Sequence, residues 1–178
     1  MFRTMTLSLV ALVLSVVSSM AATSGNVQYQ TVIVDGLNTP RFVVTADLPI
    51  SGKLSWSLYA QTDHNWSEAY VGPAYCPTSW SQIGIQVGTE AYTTVARKAA
   101  FIWMGRKQLS VLALVEGGGS DRFTAIDAKY SAKQFAAGYV YDTILGHGAK
   151  VSVNASSTYK VWVAAQEHGQ KLSLQYNF

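Results

Sequence analysis

The sequence predicts an all-β fold, an antiparallel up-and-down β-barrel that spans a membrane. Three observations point to it. Apolar and polar residues alternate along most of the chain, only 13% of the 178 residues are charged, and the final segment KLSLQYNF alternates up to its last residue. Alternation with a period of two is typical of strands whose two faces differ in polarity. The charged fraction is about half of the roughly 25% that is usual in soluble domains.

The first 22 residues predict a secretory signal peptide. Arg3 gives a positive start, residues 7–17 are mostly apolar, and Ser19 and Ala21 place small residues before a cleavage point after residue 21 or 22. The apolar run is shorter than the roughly 20 residues that a membrane-spanning helix needs. We therefore expect an exported protein with one domain over residues 23–178.

The remaining composition argues against a disulfide-linked fold and against a nucleic-acid-binding protein. Cys76 is the single cysteine, so the chain has no internal disulfide. The net charge is +3, but lysine and arginine are scattered. A nucleic-acid surface needs clustered basic residues, so no nucleic-acid partner is expected.

Period-two alternation divides the chain into twelve candidate strands separated by short turn-like clusters. The first two and 149–154 show the weakest alternation. Ten strands would follow if the N-terminal pair were not part of the wall, and eight if several segments were loops. The predicted strands are 26–35, 41–48, 53–61, 68–76, 80–89, 95–104, 108–116, 122–130, 134–142, 149–154, 159–166 and 170–178.

The composition of the two strand faces favours a barrel in a membrane over a soluble sandwich. Residues 83–87, for example, read Ile-Gly-Ile-Gln-Val. A sandwich turns its apolar face inward and usually covers its polar face with charged residues. Here the polar face consists mainly of Ser, Gln, Gly and Asn, which suits a barrel with its apolar face in lipid. A secreted soluble sandwich that binds carbohydrate through Tyr and Trp remains an alternative.

The aromatic residues predict two belts at the membrane interfaces, where amphipathic rings are favoured. With an even strand number, both chain ends lie on the same side of the membrane. We take this side as periplasmic because the last strand ends on Phe178. Near the periplasmic ends of the strands we expect Trp56, Tyr75, Trp80, Trp103, Tyr130, Phe135, Tyr159, Tyr176 and Phe178. Near the outer ends we expect Phe42, Trp66, Tyr70, Tyr92, Phe123 and Tyr141.

The segments between strands predict short connections on both sides. The periplasmic turns are PISGK, PTSW, GRKQ, YSAK and ASST. The outer loops are DGLNTP, QTDHNW, GTEAYTTV, EGGGSD, TILGHG and QEHGQ, only slightly longer. EGGGSD lacks the lysine and the helix of a phosphate-binding loop, so it is read as a flexible turn.

The final strand resembles the C-terminal signal of bacterial outer-membrane β-barrel proteins, which carries aromatic residues at the last and third-last positions. The resemblance implies the outer membrane of a Gram-negative bacterium, contact with its lipid, and recognition by the barrel assembly machinery. It indicates a small porin-like barrel and identifies no subfamily. The residues that would form this signal are Leu172, Leu174, Tyr176 and Phe178.

Catalysis at the outer rim is an alternative. His64, His147 and His168 all fall in predicted outer loops. A lipid-modifying enzyme could pair His64 with Ser67 and Asp63, or His168 with Glu167. A nucleophile and its base must lie within hydrogen-bond reach, and the local motifs of such enzymes are missing. We therefore expect no catalytic residues, no cofactor and no metal site.

The polar faces predict a lumen with charges of both signs. Eight strands leave room only for packed side chains, whereas 16–18 enclose a water-filled channel. Twelve strands would give a narrow pore for small solutes or a structural barrel plugged by its own ion pairs. Leu112 and Leu114 flank Ala113 in LSVLALVE, so this strand has apolar residues on both faces and departs from the pattern. The predicted lumen-lining residues are Arg41, Asp47, Gln86, Glu90, Asp127, Lys129, Asp142, Lys150, Lys160 and Gln166.

Overall fold

The structure, a computed structural model, describes residues 24–178, so the predicted signal peptide lies outside the described residues. Alternating short polar turns and period-two segments fold as consecutive strands. They are β1 (Ser24–Val34), β2 (Leu37–Ser51), β3 (Leu54–Asp63), β4 (Ser67–Thr78), β5 (Ser81–Glu90), β6 (Thr93–Arg106), β7 (Leu109–Gly117), β8 (Phe123–Ala132), β9 (Phe135–Asp142), β10 (Gly146–Asn154), β11 (Tyr159–Gln166) and β12 (Gly169–Asn177).

These strands form one closed antiparallel barrel. Each strand pairs with the next along the chain, and β1 pairs with β12 from Asn26–Asn177 to Ile33–Gln170. Closure gives every strand two hydrogen-bonded neighbours, so no edge is left unpaired. The predicted all-β barrel of twelve strands is confirmed, and the alternatives with ten strands, eight strands or a sandwich are wrong. No helix within residues 24–178 is long and apolar enough to cross a membrane.

The N-terminal hairpin is longer than its sequence pattern predicts. Strands β1 and β2, predicted as the faintest, contain 11 and 15 residues. The connection reduces to Asp35 and Gly36, both with positive φ, at 50° and 76°. An Asp-Gly pair in this conformation is favoured in two-residue hairpin turns, because its twist matches that of the flanking strands. The predicted loop DGLNTP is therefore mostly strand.

The two ends of the barrel are defined by their turns. The terminal end contains both ends of the described chain and the turns at 52–53, 79–80, 107–108, 133–134 and 155–158. The distal end contains the connections at 35–36, 64–66, 91–92, 118–122, 143–145 and 167–168. His64 and His168 lie in distal connections, as predicted. His147 was expected in a loop but lies in β10, because the pairing of β9 with β10 extends to Asp142 and Gly146.

The outer surface of the barrel is apolar. In β5, Ile85 and Val87 are exposed while the intervening Gln86 is buried. In β12, Leu172, Leu174 and Tyr176 are exposed, and Ser173 between them has no exposed surface. An apolar exterior around a polar interior is the reverse of the distribution in a soluble protein, and it suits a barrel surrounded by the hydrocarbon chains of lipid.

The aromatic belts are mostly found where they were predicted. Exposed rings at the terminal end belong to Trp56, Tyr75, Trp80, Tyr130, Phe135, Tyr159 and Tyr176. At the distal end Phe42 and Tyr92 are exposed, Trp66 packs against Tyr92, and Tyr141 packs against His147.

Three aromatic residues of the predicted belts face the interior instead. Tyr70 is 3% exposed and hydrogen-bonds across the lumen to Glu116. Phe123 lines interior cavities, and Trp103 lines a cavity at the terminal end. The reason is parity: successive side chains of a strand point to opposite faces. Tyr70 lies an odd number of residues before Tyr75 on the same strand, so the two rings cannot share a face.

Phe178 lies at the seam where the barrel closes. Its backbone N–H donates to the Gly25 carbonyl and its carbonyl accepts from the Gly25 N–H, both at 3.2 Å. Its ring lies 6.3 Å from that of Tyr176 on the outer face. The last residue therefore continues the pairing of β12 with β1 by one step.

Candidate functional site

Contacts between strands that are not neighbours identify the residues of the barrel interior. Tyr70 on β4 donates to Glu116 on β7 at 2.9 Å, although β5 and β6 separate them in the sheet. Lys171 on β12 donates to Asp142 on β9 at 2.7 Å. Side chains can make such contacts only through the lumen. The alternation of strands then assigns an inner face to every strand.

Four of the predicted lumen residues lie on the arc from β2 to β5. Arg41 pairs with Asp63 on the next strand at 3.2 Å. Gln86 donates to the Ser57 carbonyl at 3.1 Å. Glu90 pairs with Arg97, and its side chain has no exposed surface. Asp47 lines a cavity of about 320 Å³ at the terminal end.

The other six lie on the arc from β8 to β11, where the structure brings them close together. Lys150 pairs with Asp127, and its ammonium lies 4.2 Å from the centre of the Trp162 ring. Asp142 accepts from Gln166 at 3.1 Å as well as from Lys171. Lys160 lies near Lys129, Lys150 and Asp127. This arc therefore holds more cations than carboxylates around Lys160.

A buried cluster centred on Arg97 fills the opposite side of the lumen. Its guanidinium contacts Glu90, Glu116 at 3.2 Å and Glu68 at 3.8 Å, and it donates to the Tyr70 hydroxyl. All three carboxylates are at most 7% exposed. The planar guanidinium can serve several acceptors at once, which suits it to this position. We call these five residues the Arg97 cluster.

The loop at 118–122 bends over the Arg97 cluster at the distal mouth. The Ser120 N–H donates to Glu90 at 2.6 Å, and its hydroxyl donates to the same carboxylate at 3.2 Å. A side chain at Gly119, whose φ is 64°, would collide with Glu90 and Arg97. The glycines of EGGGSD thus allow the backbone to approach the buried carboxylate of Glu90. The segment predicted as a flexible turn is held there by the hydrogen bonds of Ser120.

Three lysines of the interior occupy one cross-strand row. The register aligns Lys129 with Gly138, Gly138 with Lys150, Lys150 with Ala164, and Ala164 with Lys171. The lysines stand on alternate strands, β8, β10 and β12, with small residues between them. Alternate strands are roughly 10 Å apart, which spaces the ammonium groups along the wall. We call Lys129, Lys150 and Lys171 the lysine row.

The described part of the barrel contains cavities toward both of its ends. A distal vestibule of about 720 Å³ is lined by Arg41, Asp63, Glu116 and Lys171, among others. A side cavity of about 180 Å³ adjoins it and shares Phe123, Asp142 and Lys171 with it. The terminal cavity contains Asp47 and Trp103. Glu68, Arg97 and Glu116 of the Arg97 cluster also line the vestibule.

Part of the inner wall is apolar. The Phe101 ring lies against Gly84, where a Cβ would come within 2.3 Å of it, and the Trp103 ring lies against Gly105 in the same way. On β7, Leu112 is 39% exposed and lines the side cavity with Leu114. The departure from simple alternation at Leu112 and Leu114 therefore corresponds to leucines that face the lumen.

Several interior residues were missed by the sequence reading, although their pattern was visible. Lys171 alternates with Leu172 and Leu174 and so belongs to the polar face of its strand, and it follows Lys129 and Lys150 at equal steps of 21 residues. Arg97, Glu68 and Glu116 share the inner parity of their strands. No pattern in the sequence indicates that β4 to β7 bring these three together.

The proposed catalytic groupings are engaged in other contacts. The Asp63 carboxylate contacts Arg41 and accepts from the backbone N–H groups of Asn65 and Trp66. The Glu167 carboxylate accepts from the His147 N–H at 3.2 Å. Within residues 24–178, no group of three His, Cys, Asp or Glu residues could hold a metal ion.

Comparison with solved structures finds the same fold in porins. The chain superimposes on the KdgM porin with a TM-score of 0.60 and 15% identity, covering 86% of this chain and 99% of that one. The KdgM porin in complex with disordered oligogalacturonate gives a TM-score of 0.61 and 14% identity over the same shares. No protein-family model matches the sequence, and no curated protein matches it.

Proposed function

We propose that this protein is a small porin-like channel of the bacterial outer membrane that lets small solutes diffuse through its lumen. A closed barrel with an apolar exterior, a polar interior and a wide distal vestibule carries this proposal. The same fold occurs in porins. No catalytic role is part of it, because the carboxylates near the histidines are occupied by structural contacts.

The orientation follows from the terminal strand. We place the terminal end in the periplasm and the distal end outside, as the resemblance of KLSLQYNF to an assembly signal implies. Leu172, Leu174 and Tyr176 lie on the outer face of the strand that closes the barrel. The assembly machinery would therefore meet an apolar and aromatic edge that ends on Phe178.

We infer small solutes from the size of the interior cavities. The vestibule of about 720 Å³ admits a molecule of drug-like or smaller size, and Glu68, Arg97 and Glu116 form part of its wall. Positively and negatively charged side chains both line the vestibule, so its wall does not carry charges of a single sign. One porin of similar fold has been solved in complex with oligogalacturonate. Single-channel recording can also test whether acidic sugars enter this channel.

Single-channel recording in planar bilayers tests the proposal. Refolded protein should give discrete conductance steps in potassium chloride, and a boiled sample of the same preparation should give none. Insertion is established separately by the shift in gel mobility between unboiled and boiled protein. Inserted protein without conductance would overturn the channel and leave a structural barrel sealed by the Arg97 cluster, the second candidate that the geometry favours.

A further inference from the structure

We propose that the side cavity binds the apolar body of a small organic anion, and that the lysines around it hold the carboxylate. The preferred solute class is thus a monocarboxylate with an aromatic or aliphatic body, in contrast to a polyhydroxylated anion. This inference rests on the proposed channel function and specifies what the channel prefers.

The positive charge of this wall is only partly neutralised. Lys150 pairs with Asp127, and Lys171 pairs with Asp142. Lys160 lies near both Lys129 and Lys150 as well as near Asp127. Three lysines thus share one aspartate. An excess of positive charge in a narrow lumen favours an anion, because the surrounding dielectric screens it weakly.

The apolar side of the cavity is open, whereas the inward apolar groups on β2 and β11 are covered. Trp162 is 6% exposed and lies under Lys150, and Val43 on the far wall is 5% exposed. Leu112, in contrast, is 39% exposed although it faces inward. An apolar side chain left open to a polar lumen costs free energy that a ligand can recover by covering it.

The apolar opening lies beside these charges. Leu112, Leu114 and Phe123 line the side cavity together with the ion pairs Lys150–Asp127 and Lys171–Asp142. Lys129 and Lys160 are outside this lining, and Lys160 lies near the first pair. The volume of about 180 Å³ fits a small body such as a phenyl ring, and its connection to the vestibule gives access from the distal mouth. A sugar acid would place hydroxyl groups against the leucines, where they would lose hydrogen bonds to water.

Calorimetric titration of the folded barrel in detergent tests the inference, with phenylacetate as the probe. Gluconate serves as an anion with a polar body, and benzyl alcohol as a neutral molecule with an aromatic body. We expect phenylacetate to bind at least tenfold more tightly than either. Equal or tighter binding of gluconate would overturn the apolar contact, and equal binding of benzyl alcohol would overturn the role of the lysines.

Two variants with matched controls locate the site. Leu112→Asn should weaken phenylacetate binding about tenfold through lost apolar contact. Leu109→Asn, the same change on the outer face of the same strand, should leave it unchanged. Lys150→Gln should also weaken binding about tenfold or more, and Lys107→Gln in an exposed turn should not. Binding that survives Leu112→Asn and Lys150→Gln would place the site elsewhere and refute the inference.

This measurement is independent of conduction. If the protein conducts potassium chloride but phenylacetate does not bind, the preference is wrong and the channel stands. If phenylacetate binds with the expected variant pattern but no conductance appears, the site is real and the channel proposal is wrong. Loss of gel-mobility shift in a variant identifies a folding failure, in which case Leu112→Met and Lys150→Arg, which keep the chemistry, should retain binding.

Discussion

Replacing Arg97 with methionine should destabilise the barrel more than any other single change of an interior charge. Among residues 24–178, Arg97 is the cation that contacts Glu68, Glu90 and Glu116. Methionine fills a similar volume without a charge, so the variant removes the ion pairs and keeps most of the packing. Three carboxylates would then remain close together in a part of the lumen with little access to water.

The size of the loss follows from burial. The Arg97 side chain is 4% exposed and its carboxylate partners are 0–7% exposed. Removing one partner of a buried pair typically costs about 3–5 kcal/mol, because an uncompensated charge is left behind. We expect a loss of that size in the free energy of unfolding. Arg97→Lys keeps the charge but loses the fork geometry, so it should lose only about 1–2 kcal/mol.

Urea unfolding in lipid vesicles, followed by the gel mobility of unboiled samples, measures these losses. Lys98→Met is the matched control, because Lys98 is the next residue on β6, is exposed and points away from the lumen. It should lose no stability. Equal stability of Arg97→Met and Lys98→Met would refute the reasoning, since it would mean that the Arg97 cluster contributes nothing.

Three further changes test other parts of the account. Phe178→Ser should reduce the amount of folded barrel in the outer membrane severalfold while the purified variant still refolds in detergent, and normal membrane levels would contradict an assembly role. Ser120→Ala removes one hydrogen bond to Glu90, worth about 1 kcal/mol, and should make the conductance fluctuate between levels. A conductance record identical to that of the parent protein would show that this loop does not control the distal opening. In variants that retain one tryptophan, a lipid-phase quencher should quench Trp56 strongly and Trp103 weakly. Equal quenching of the two would place Trp103 in the periplasmic aromatic belt, as the sequence analysis predicted.

The architecture could be predicted because period-two alternation decides it. The apolar set of each strand must meet lipid, so a strand cannot slip by one residue without exposing its polar set. This requirement fixed the strands, the ends that carry the turns and most of the terminal aromatic belt. The same rule also assigns Tyr70, Trp103 and Phe123 to the lumen. Those three were misplaced because nearness to a strand end was given more weight than parity.

The sequence predicts which types of residue line the interior but not which of them contact each other. The sequence indicated charges of both signs but not that Arg97 would meet three glutamates from three other strands. Such meetings depend on the register of neighbouring strands and on the small residues between them, such as Gly138 in the lysine row. The register is set by turns such as Asp35–Gly36, whose conformation depends on two residues. Small differences at the turns therefore decide which side chains face each other across the lumen.

Labelling of introduced cysteines along β7 tests the central claim, a water-filled interior within a lipid-facing wall, most directly. This strand is apolar on both faces, so hydrophobicity alone cannot separate its residues. With Cys76 replaced by serine, Leu112→Cys and Leu114→Cys should react with a membrane-impermeant, water-soluble thiol reagent in vesicles. Val111→Cys and Val115→Cys, which point outward, should not. Equal labelling of both sets, or labelling of the outward pair alone, would contradict the barrel described here.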